Sequence, residues 1–459
     1  MSEFESSLFI FRRDLRLEDN TALIEACRRS RRVFTCFIVD PRQVGDANRY
    51  RSANAVQFMA QSLEELAAAV ERRGGTLTFQ RGEAEAVVER LIEARRVEAV
   101  FLNRDHTPFS SARDRSMAAR CRRAGVAFES YDDCLIHAPD AVSTSAGGPY
   151  TVFTPFWKRA SALPVRRPRR FGFANLAKLP DEGGVVSRLP EALGLTDNER
   201  LAVTGGRGPA LAILRGLGRY DHYGQRRDYP GEAATTRLSA YLKFGCISAR
   251  EAVYACWKHL GRGHPLERQL YWRDFYTHIA HHFPRVFGRC FDERYDRVDW
   301  ENEQGKFEAW CAGRTGFPIV DAGMRELSAT GWMHNRVRMI VASFLTKDLH
   351  VDWRRGERAF ARQLVDYDPA VNNGNWQWAA STGCDAQPYF RIFNPWLQQK
   401  RFDPAAVYVR RWVPELAALE ASAIHALHKR RPGGLDYPKP VVDHASAAAR
   451  ARALFEACR

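Results

Sequence analysis

The strongest constraint on the fold is an alternation in the first 131 residues. Leu8-Phe-Ile-Phe11 is a short apolar run that reads as a first strand. Val33-Phe-Thr-Cys-Phe-Ile-Val39 reads as a second strand, buried on both faces. Thr76–Phe79, Ala99–Leu102 and Phe128–Tyr131 continue the series. Helical patterns fall between them at Asn20–Arg29, Ala53–Arg73, Glu83–Arg95 and Ser110–Ala124. Gly74-Gly75 and Gly125 follow two of these helices, where a glycine gives a sterically free stop. Strands alternating with helices predict a parallel sheet with helices on both faces. Beyond Pro209 the pattern is mostly helical. The predicted fold class is therefore α/β plus all-α: an α/β domain over 1–138, a connector over 139–208 and a helical domain over 209–459.

The turn after the first strand, Arg12-Arg-Asp-Leu-Arg-Leu-Glu-Asp-Asn20, contains no glycine. It cannot form the Gly-x-Gly-x-x-Gly cradle of a dinucleotide fold, nor a P-loop. In the connector, Pro164–Gly172 and Asp181-Glu-Gly-Gly184 read as exposed linker, with the basic run solvated. Val152-Phe-Thr-Pro-Phe-Trp157 reads as an anchor packed on a domain. The formal net charge of +15 favours a polyanionic partner, nucleic acid ahead of a membrane surface. No apolar run approaches a membrane span, and the acidic Met1-Ser-Glu-Phe-Glu5 lacks the order of a signal peptide. Ten cysteines without a C-x-x-C pair suggest neither a disulfide framework nor a thiolate metal cluster. A cytoplasmic location fits this pattern.

The densest chemistry lies in Asp366–Pro395, which packs two tryptophans, several amides, three acids and an arginine into a segment too polar for simple core. Pro369 suits the first turn of a helix. Trp376 and Trp378 would then point about 200° apart, one inward and one toward an opening. Upstream, Thr235-Thr-Arg-Leu-Ser239 offers three hydroxyls within five residues. Such a cluster can hold a diphosphate or cap a helix. Gln269, Trp272 and Tyr276 recur at helical spacing, as stacking partners for bases or as a helix–helix seam. In Gly331–Leu345, Val337, Ile340, Val341 and Phe344 form an apolar face, with Asn335 and Met339 opposite. His334 reads as a structural histidine.

Asn-Asn-Gly-Asn-Trp-Gln-Trp-Ala-Ala-Ser-Thr-Gly and Pro-Tyr-Phe-Arg-Ile-Phe-Asn-Pro resemble the flavin-binding core of the DNA photolyase/cryptochrome family. Phe-Arg-Arg-Asp-Leu-Arg-Leu-Glu-Asp-Asn is similar to that family's opening signature, where the α/β domain holds an antenna chromophore. The resemblance spans almost the whole chain. It implies an FAD site at Tyr223, Thr235, Thr236, Arg237, Leu238, Ser239, Arg338, Asp366, Tyr367, Asp368 and Asn372, with Arg338 paired to Asp366. Asn372 stands where the family faces flavin N5. Trp300, Trp353 and Trp376 stand at the positions of an electron-conducting chain. DNA contact is implied for Arg227, Gln269, Trp272, Arg273, Tyr276, Asn335, Arg336, Trp378 and Gln398, and a place at the reacting centre for Asn372, Gln269 and Met339. No metal site is implied.

The implied activity is light-driven repair of cyclobutane pyrimidine dimers by electron transfer from photoexcited reduced FAD to a flipped-out dimer. The partner would be UV-damaged DNA, duplex or single-stranded, bound by a monomer. Two readings stand beside it. Gln269 replaces the usual glutamate and is more like (6-4) photolyases, whereas Asn335 and Met339 follow the pyrimidine-dimer pattern where (6-4) enzymes have histidines. A cryptochrome photosensor is the second. Folate-binding relatives have an Asn-Glu pair where this chain has Phe109 and Ser110, so a folate antenna lacks its carboxylate. A deazaflavin, a second flavin or no antenna remain.

Overall fold

The structure, a computed structural model, describes residues 2–95, 97–178, 197–385 and 390–458. Five strands, β1 (Phe4–Phe11), β2 (Ser30–Val39), β3 (Leu77–Arg81), β4 (Ala99–Asn103) and β5 (Ala127–Tyr131), form one parallel sheet in the order β3-β2-β1-β4-β5. Helices α1 (Thr21–Arg29), α2 (Ala53–Glu71), α3 (Ala84–Arg95) and α4 (Pro108–Arg123) connect them. Leu8 and Ile10 of β1 with Phe34, Cys36 and Ile38 of β2 pack against Val88 and Leu91 of α3 and Met117 of α4. The alternate residues Phe9 and Phe11 are equally buried. Burial on both faces is what removes the polar alternation from these strands.

β1 begins four residues before its apolar run. Phe4-Glu-Ser-Ser7 pairs with the start of β2 from Phe4↔Ser30 onward, and the hydroxyls of Ser7 and Ser30 meet at 2.5 Å. Sheet pairing outweighs side-chain polarity there. Asn20 caps α1 by accepting from the Leu23 amide at 3.1 Å.

The chain divides into two compact units. The first comprises Met1–Asn198, Val203–Asp221 and Thr236–His282; the second comprises Glu199–Ala202, His222–Thr235 and Phe283–Arg459. The first unit therefore includes α6 (Ala249–Leu260) and α7 (Pro265–His282), beyond the start of helical periodicity at 209, along with α5 (Phe153–Ala162). Two interactions explain the grouping. Arg250 of α6 is buried and bonds Asp19 at 2.8 Å and Asp133 at 2.8 Å. Phe156 of α5 packs on Phe275 and His278 of α7, which gives the Val152–Trp157 segment its anchor.

The basic run of the connector is not simply solvated. Arg166 pairs with Asp19 at 3.2 Å and Arg169 with Glu25 at 2.7 Å. Asp19 has no solvent exposure of its own, so its charge has to be met from within the protein. Asp181–Gly184 lies outside the described residues.

The second unit is helical, with α8 (Pro318–Thr330), α9 (Asn335–Lys347), α10 (Trp353–Gln363), α11 (Pro369–Ala380) and α12 (Pro395–Phe402) around one core. Val337, Ile340, Val341 and Phe344 of α9 are buried in that core with Trp310, Trp353 and Trp376. Among the described residues no helix is long and apolar enough to cross a membrane. All ten cysteines are free.

Candidate cofactor and nucleic-acid site

In the helical unit, α11 places most of the chemistry. Asp368 is its N-cap, accepting from the amides of Ala370 (3.1 Å) and Val371 (3.4 Å), and Pro369 fills the first turn. With the helix started there, Asn372, Asn373, Trp376 and Gln377 fall on the buried side. Asn373 and Gln377 are held by the protein itself. Asn373 donates to the Val286 carbonyl and to Glu357, and Gln377 donates to the carbonyls of Val286 and Arg289. Asn372 differs. Its Nδ2 donates to the Glu357 carbonyl at 3.2 Å. A carbonyl can only accept, so this bond fixes the amide's orientation and makes Oδ1 the end offered to a ligand.

Arg338 and Asp366 are brought together as their sequence positions suggested. The guanidinium bonds both carboxylate oxygens, at 3.0 and 3.2 Å, and Nε reaches the Met333 carbonyl at 2.8 Å. Asn335 and Met339 lie side by side, Nδ2 to Sδ 3.9 Å, on the face of α9 opposite its buried stripe. His334 is buried and caps α9 through Nδ1 to the Arg336 amide. Burial lowers its pKa to about 4, so it is neutral and structural.

The two tryptophans of the Trp-x-Trp word separate as the helical period requires. Trp376 is buried and Trp378 is half-buried. Trp378 lines a cavity of about 600 Å³ with Met339, Phe393, Gln398, Phe402 and three arginines, Arg336, Arg391 and Arg401. Asp228 and Ile392 complete the lining, and Arg336 pairs with Asp228 at 2.8 Å. Gln398 Oε1 is buried and has no hydrogen-bond partner among the described residues. Aromatic planes, cations and a free acceptor form a surface suited to bases and phosphates.

Trp353, Trp376 and Trp300 join one aromatic core, the first two fully buried and Trp300 partly exposed at its edge. The ring of Trp376 lies over Gly356 of α10, one turn beyond Trp353. A Cβ on Gly356 would sit 2.3 Å from that ring, so the missing side chain is what lets the indole approach. Trp310, which no sequence signal singled out, lies 6.2 Å from Trp376 between ring centroids.

Tyr223 is buried, with the Arg227 guanidinium 5.8 Å from its ring centroid. Tyr367 is half-buried. Thr235–Ser239 is a strained turn: Arg237 has φ +53°, and Thr236 Oγ1 accepts from the Leu238 amide at 3.4 Å. The side chains of Arg237 and Ser239 are exposed.

In the first unit, α7 carries the remaining residues. Trp272 stacks on Phe153 at 3.5 Å and 9°, so one face of the indole is already covered. Tyr276 packs beside it, 5.6 Å away, and is buried. Gln269 is half-buried and bonds the Pro265 carbonyl of its own helix at 3.4 Å. Arg273 directs its guanidinium to the carbonyls of Cys134 (2.7 Å) and Leu242 (3.2 Å), an arrangement that ties loops to α7.

Sequence reasoning missed Arg391, Phe393, Arg401, Phe402 and Glu357. Arg391 and Phe393 lie inside the Pro-Tyr-Phe-Arg-Ile-Phe-Asn-Pro word, where a signal existed. Nothing in the pattern around Glu357 marks it as the residue whose backbone orients Asn372.

A parallel α/β unit without a phosphate cradle, and a helical unit with a basic, aromatic-lined cavity and a buried tryptophan set, agree with what the resemblance to a class of light-driven flavoproteins acting on nucleic acid implies. Family models agree: "DNA photolyase" matches residues 7–170 and "FAD binding domain of DNA photolyase" matches residues 266–457. The deoxyribodipyrimidine photo-lyase of Synechococcus sp. is 37% identical, covering 98% of this chain and 96% of that protein. An archaeal photolyase from Sulfolobus tokodaii, solved with two FAD molecules, superposes with a TM-score of 0.89 at 42% identity over 98% of this chain and 100% of that one. A bacterial class III photolyase from Agrobacterium tumefaciens gives 0.91 at 35% identity, over 100% and 98%. The chain belongs to the DNA photolyase family.

Proposed function

We propose that the protein is a deoxyribodipyrimidine photo-lyase that uses light to split cyclobutane pyrimidine dimers in DNA, with FAD as cofactor. The observation that supports it best is the division of α11: Asn372 and Trp376 inward, Trp378 to a cavity lined by three arginines. The residues fit a flavin. Asn372 Oδ1 is oriented to accept from an N–H, and Arg338 is held by Asp366, six residues before Asn372 in the sequence. Tyr223, Thr235, Tyr367 and Asp368 of the same unit would join that set; in the first unit, Thr236, Arg237, Leu238 and Ser239 are the residues that the family resemblance assigns to FAD. When bound and reduced, FAD supplies the photoexcited electron that opens the cyclobutane ring.

The chain's own residues bind, orient and exclude water. In the helical unit Trp378 and Gln398 receive the lesion, and Arg227, Arg336 and Asn335 hold the strand beside it; in the first unit Trp272 contacts the DNA. Gln398 Oε1 gains a donor when its side chain turns to meet an N–H of a base in the cavity, which removes the cost of an unpaired buried acceptor. Trp300, Trp353 and Trp376 conduct an electron inward to recharge the cofactor. Gln269 can donate to a base carbonyl but adds no charge.

The substrate is decided by exposing the purified, reduced protein to blue light with each lesion. Dimers disappear and (6-4) products persist; turnover of (6-4) products alone, or of neither lesion, overturns the reading, the latter in favour of a photosensor. Trp376→Phe separates conduction from repair. It should slow photoreduction of oxidised cofactor at least ~10-fold and leave repair by pre-reduced enzyme unchanged. The Sulfolobus relative's two FAD molecules support a second flavin as antenna, since Phe109 and Ser110 offer no pterin partner. Two equivalents of FAD per chain would agree with this; one equivalent and a folate spectrum would not.

A further inference from the structure

The last turn of α7 reads Thr277-His-Ile-Ala-His-His282, and none of its three histidines enters the repair machinery. All three pack against the short turn Pro139–Ala141. His281 Nε2 lies 3.2 Å from Asp140 Oδ1, and His282 Nε2 lies 3.9 Å from the same oxygen. The three ligand atoms fall within 4.8 Å of one another. Around a tetrahedral cation with bonds of about 2.0–2.2 Å, neighbouring ligands stand about 3.3–3.5 Å apart. The observed separations, 3.2 Å, 3.9 Å and at most 4.8 Å, need adjustments of about 1.5 Å or less.

The surroundings hold this arrangement in place. His278, one turn earlier, directs Nδ1 to the Pro139 carbonyl at 3.1 Å, and that carbonyl accepts. The bond pins the turn that presents Asp140. The same ring packs on His282 with centroids 4.5 Å apart, and His106 meets His281 edge-on at 5.3 Å. Two consecutive imidazoles converging on one carboxylate oxygen exceed what an ion pair needs. The negative end of the α7 dipole lies at the same place and favours a cation.

We propose that Asp140, His281 and His282 form a binding site for one divalent transition-metal ion of the zinc, nickel or copper class. Two imidazoles and one carboxylate select borderline metals over magnesium and calcium, which prefer oxygen alone. Solvent completes the fourth position. The ion clips the Pro139–Ala141 turn to the end of the helix that carries Gln269 and Trp272. It plays no part in the light reaction.

The test uses the full untagged chain, stripped with chelator and titrated calorimetrically with Zn²⁺. One equivalent binds with micromolar affinity, and Tm rises until that equivalent is reached. Asp140→Asn, at an exposed position, lowers the affinity at least ~10-fold. The double variant Asp140→Asn/His281→Ala abolishes the stoichiometric site while FAD content and far-UV circular dichroism stay unchanged. The inference is overturned if the wild-type chain takes up no Zn²⁺ at ~100 μM, or if Asp140→Asn binds the ion as the wild type does. Binding that is lost only in variants with altered circular dichroism overturns it as well.

Discussion

The strand ends of the α/β unit and the cavity of the helical unit are built from the same residue types, yet in one the charges are largely paired with each other and the other is lined chiefly by aromatic rings and arginines. In a parallel sheet the crevice where the strand order reverses, here between β1 and β4, is the usual ligand site. In this chain its own polar side chains occupy much of it, beside a cavity of about 240 Å³ lined by His106, Asp133 and Arg250 among others. Asn103 Nδ2 donates to Asp14 at 2.5 Å and to Asn20 at 2.7 Å; Arg12 pairs with Asp114 and Arg13 with Asp105. Arg16 and Arg250 both hold Asp133. The helical cavity is lined by Gln398, whose buried Oε1 has no partner among the described residues. Residue content does not separate a structural polar cluster from a binding one. The pairing of the charged groups does, even though Arg12 Nε and Arg16 Nε have no hydrogen-bond partner among the described residues.

The largest test of that contrast is to break the paired side. Arg16 and Asp133 are 1% exposed, and both arginines pull the Asp133 carboxyl well below the usual range against the effect of burial. Arg16→Met strands a buried carboxylate and should cost about 3–5 kcal/mol in chemical denaturation. A loss under about 1 kcal/mol would mean that Arg250 alone suffices and the network is redundant.

The second test compares two buried acids. Asp133 has two cations; Glu357 of α10 has chiefly the Asn373 amide at 3.2 Å. Burial therefore raises Glu357 to about 7, with Asn373, Arg354 and Arg358 opposing only in part. The folded chain keeps a proton there that the unfolded chain releases nearer 4.5. Stability from this group is present below pH 4.5 and is lost as pH rises to about 7, the reverse of Asp133. Glu357→Gln keeps the shape and should flatten that slope, worth up to about 3 kcal/mol across the window. Denaturation midpoints that track wild type from pH 5 to 8 would refute the uncompensated burial.

Much of this was legible before any coordinates. The sheet followed from apolar runs, because strands buried twice lose their polar alternation. The split of Trp376 and Trp378 followed from 100° per residue, and the Arg338–Asp366 pair from family position. Partners set by distant backbone were not legible. Arg273 binding the carbonyls of Cys134 and Leu242, Phe153 covering Trp272, and the Glu357 carbonyl orienting Asn372 join residues 15 to 139 apart with no periodicity to announce them. The solvated reading of Pro164–Gly172 holds for the exposed Arg167 and Arg170 but fails for Arg166 for the same reason, since the buried Asp19 that claims it is far away in sequence.

The smallest effect gives the sharpest comparison, because two tryptophans proposed for one task differ in what already touches them. Trp272 stacks on Phe153 with one face, whereas Trp378 lines open space with no ring contact among the described residues. Trp378 packs partly against the helical core, so truncating it removes a ligand-facing surface together with some packing, but no ring partner. Trp378→Ala should weaken binding of dimer-containing DNA about 10–100-fold, leave intact DNA within about 3-fold, and move the unfolding midpoint little. Trp272→Ala should lose lesion affinity by a similar factor and also destabilise the fold, since Phe153 loses its partner. If Trp378→Ala destabilises the protein as much as Trp272→Ala does, the cavity is a packing defect of the helical unit, and the distinction between paired and ligand-facing surfaces fails where it matters most.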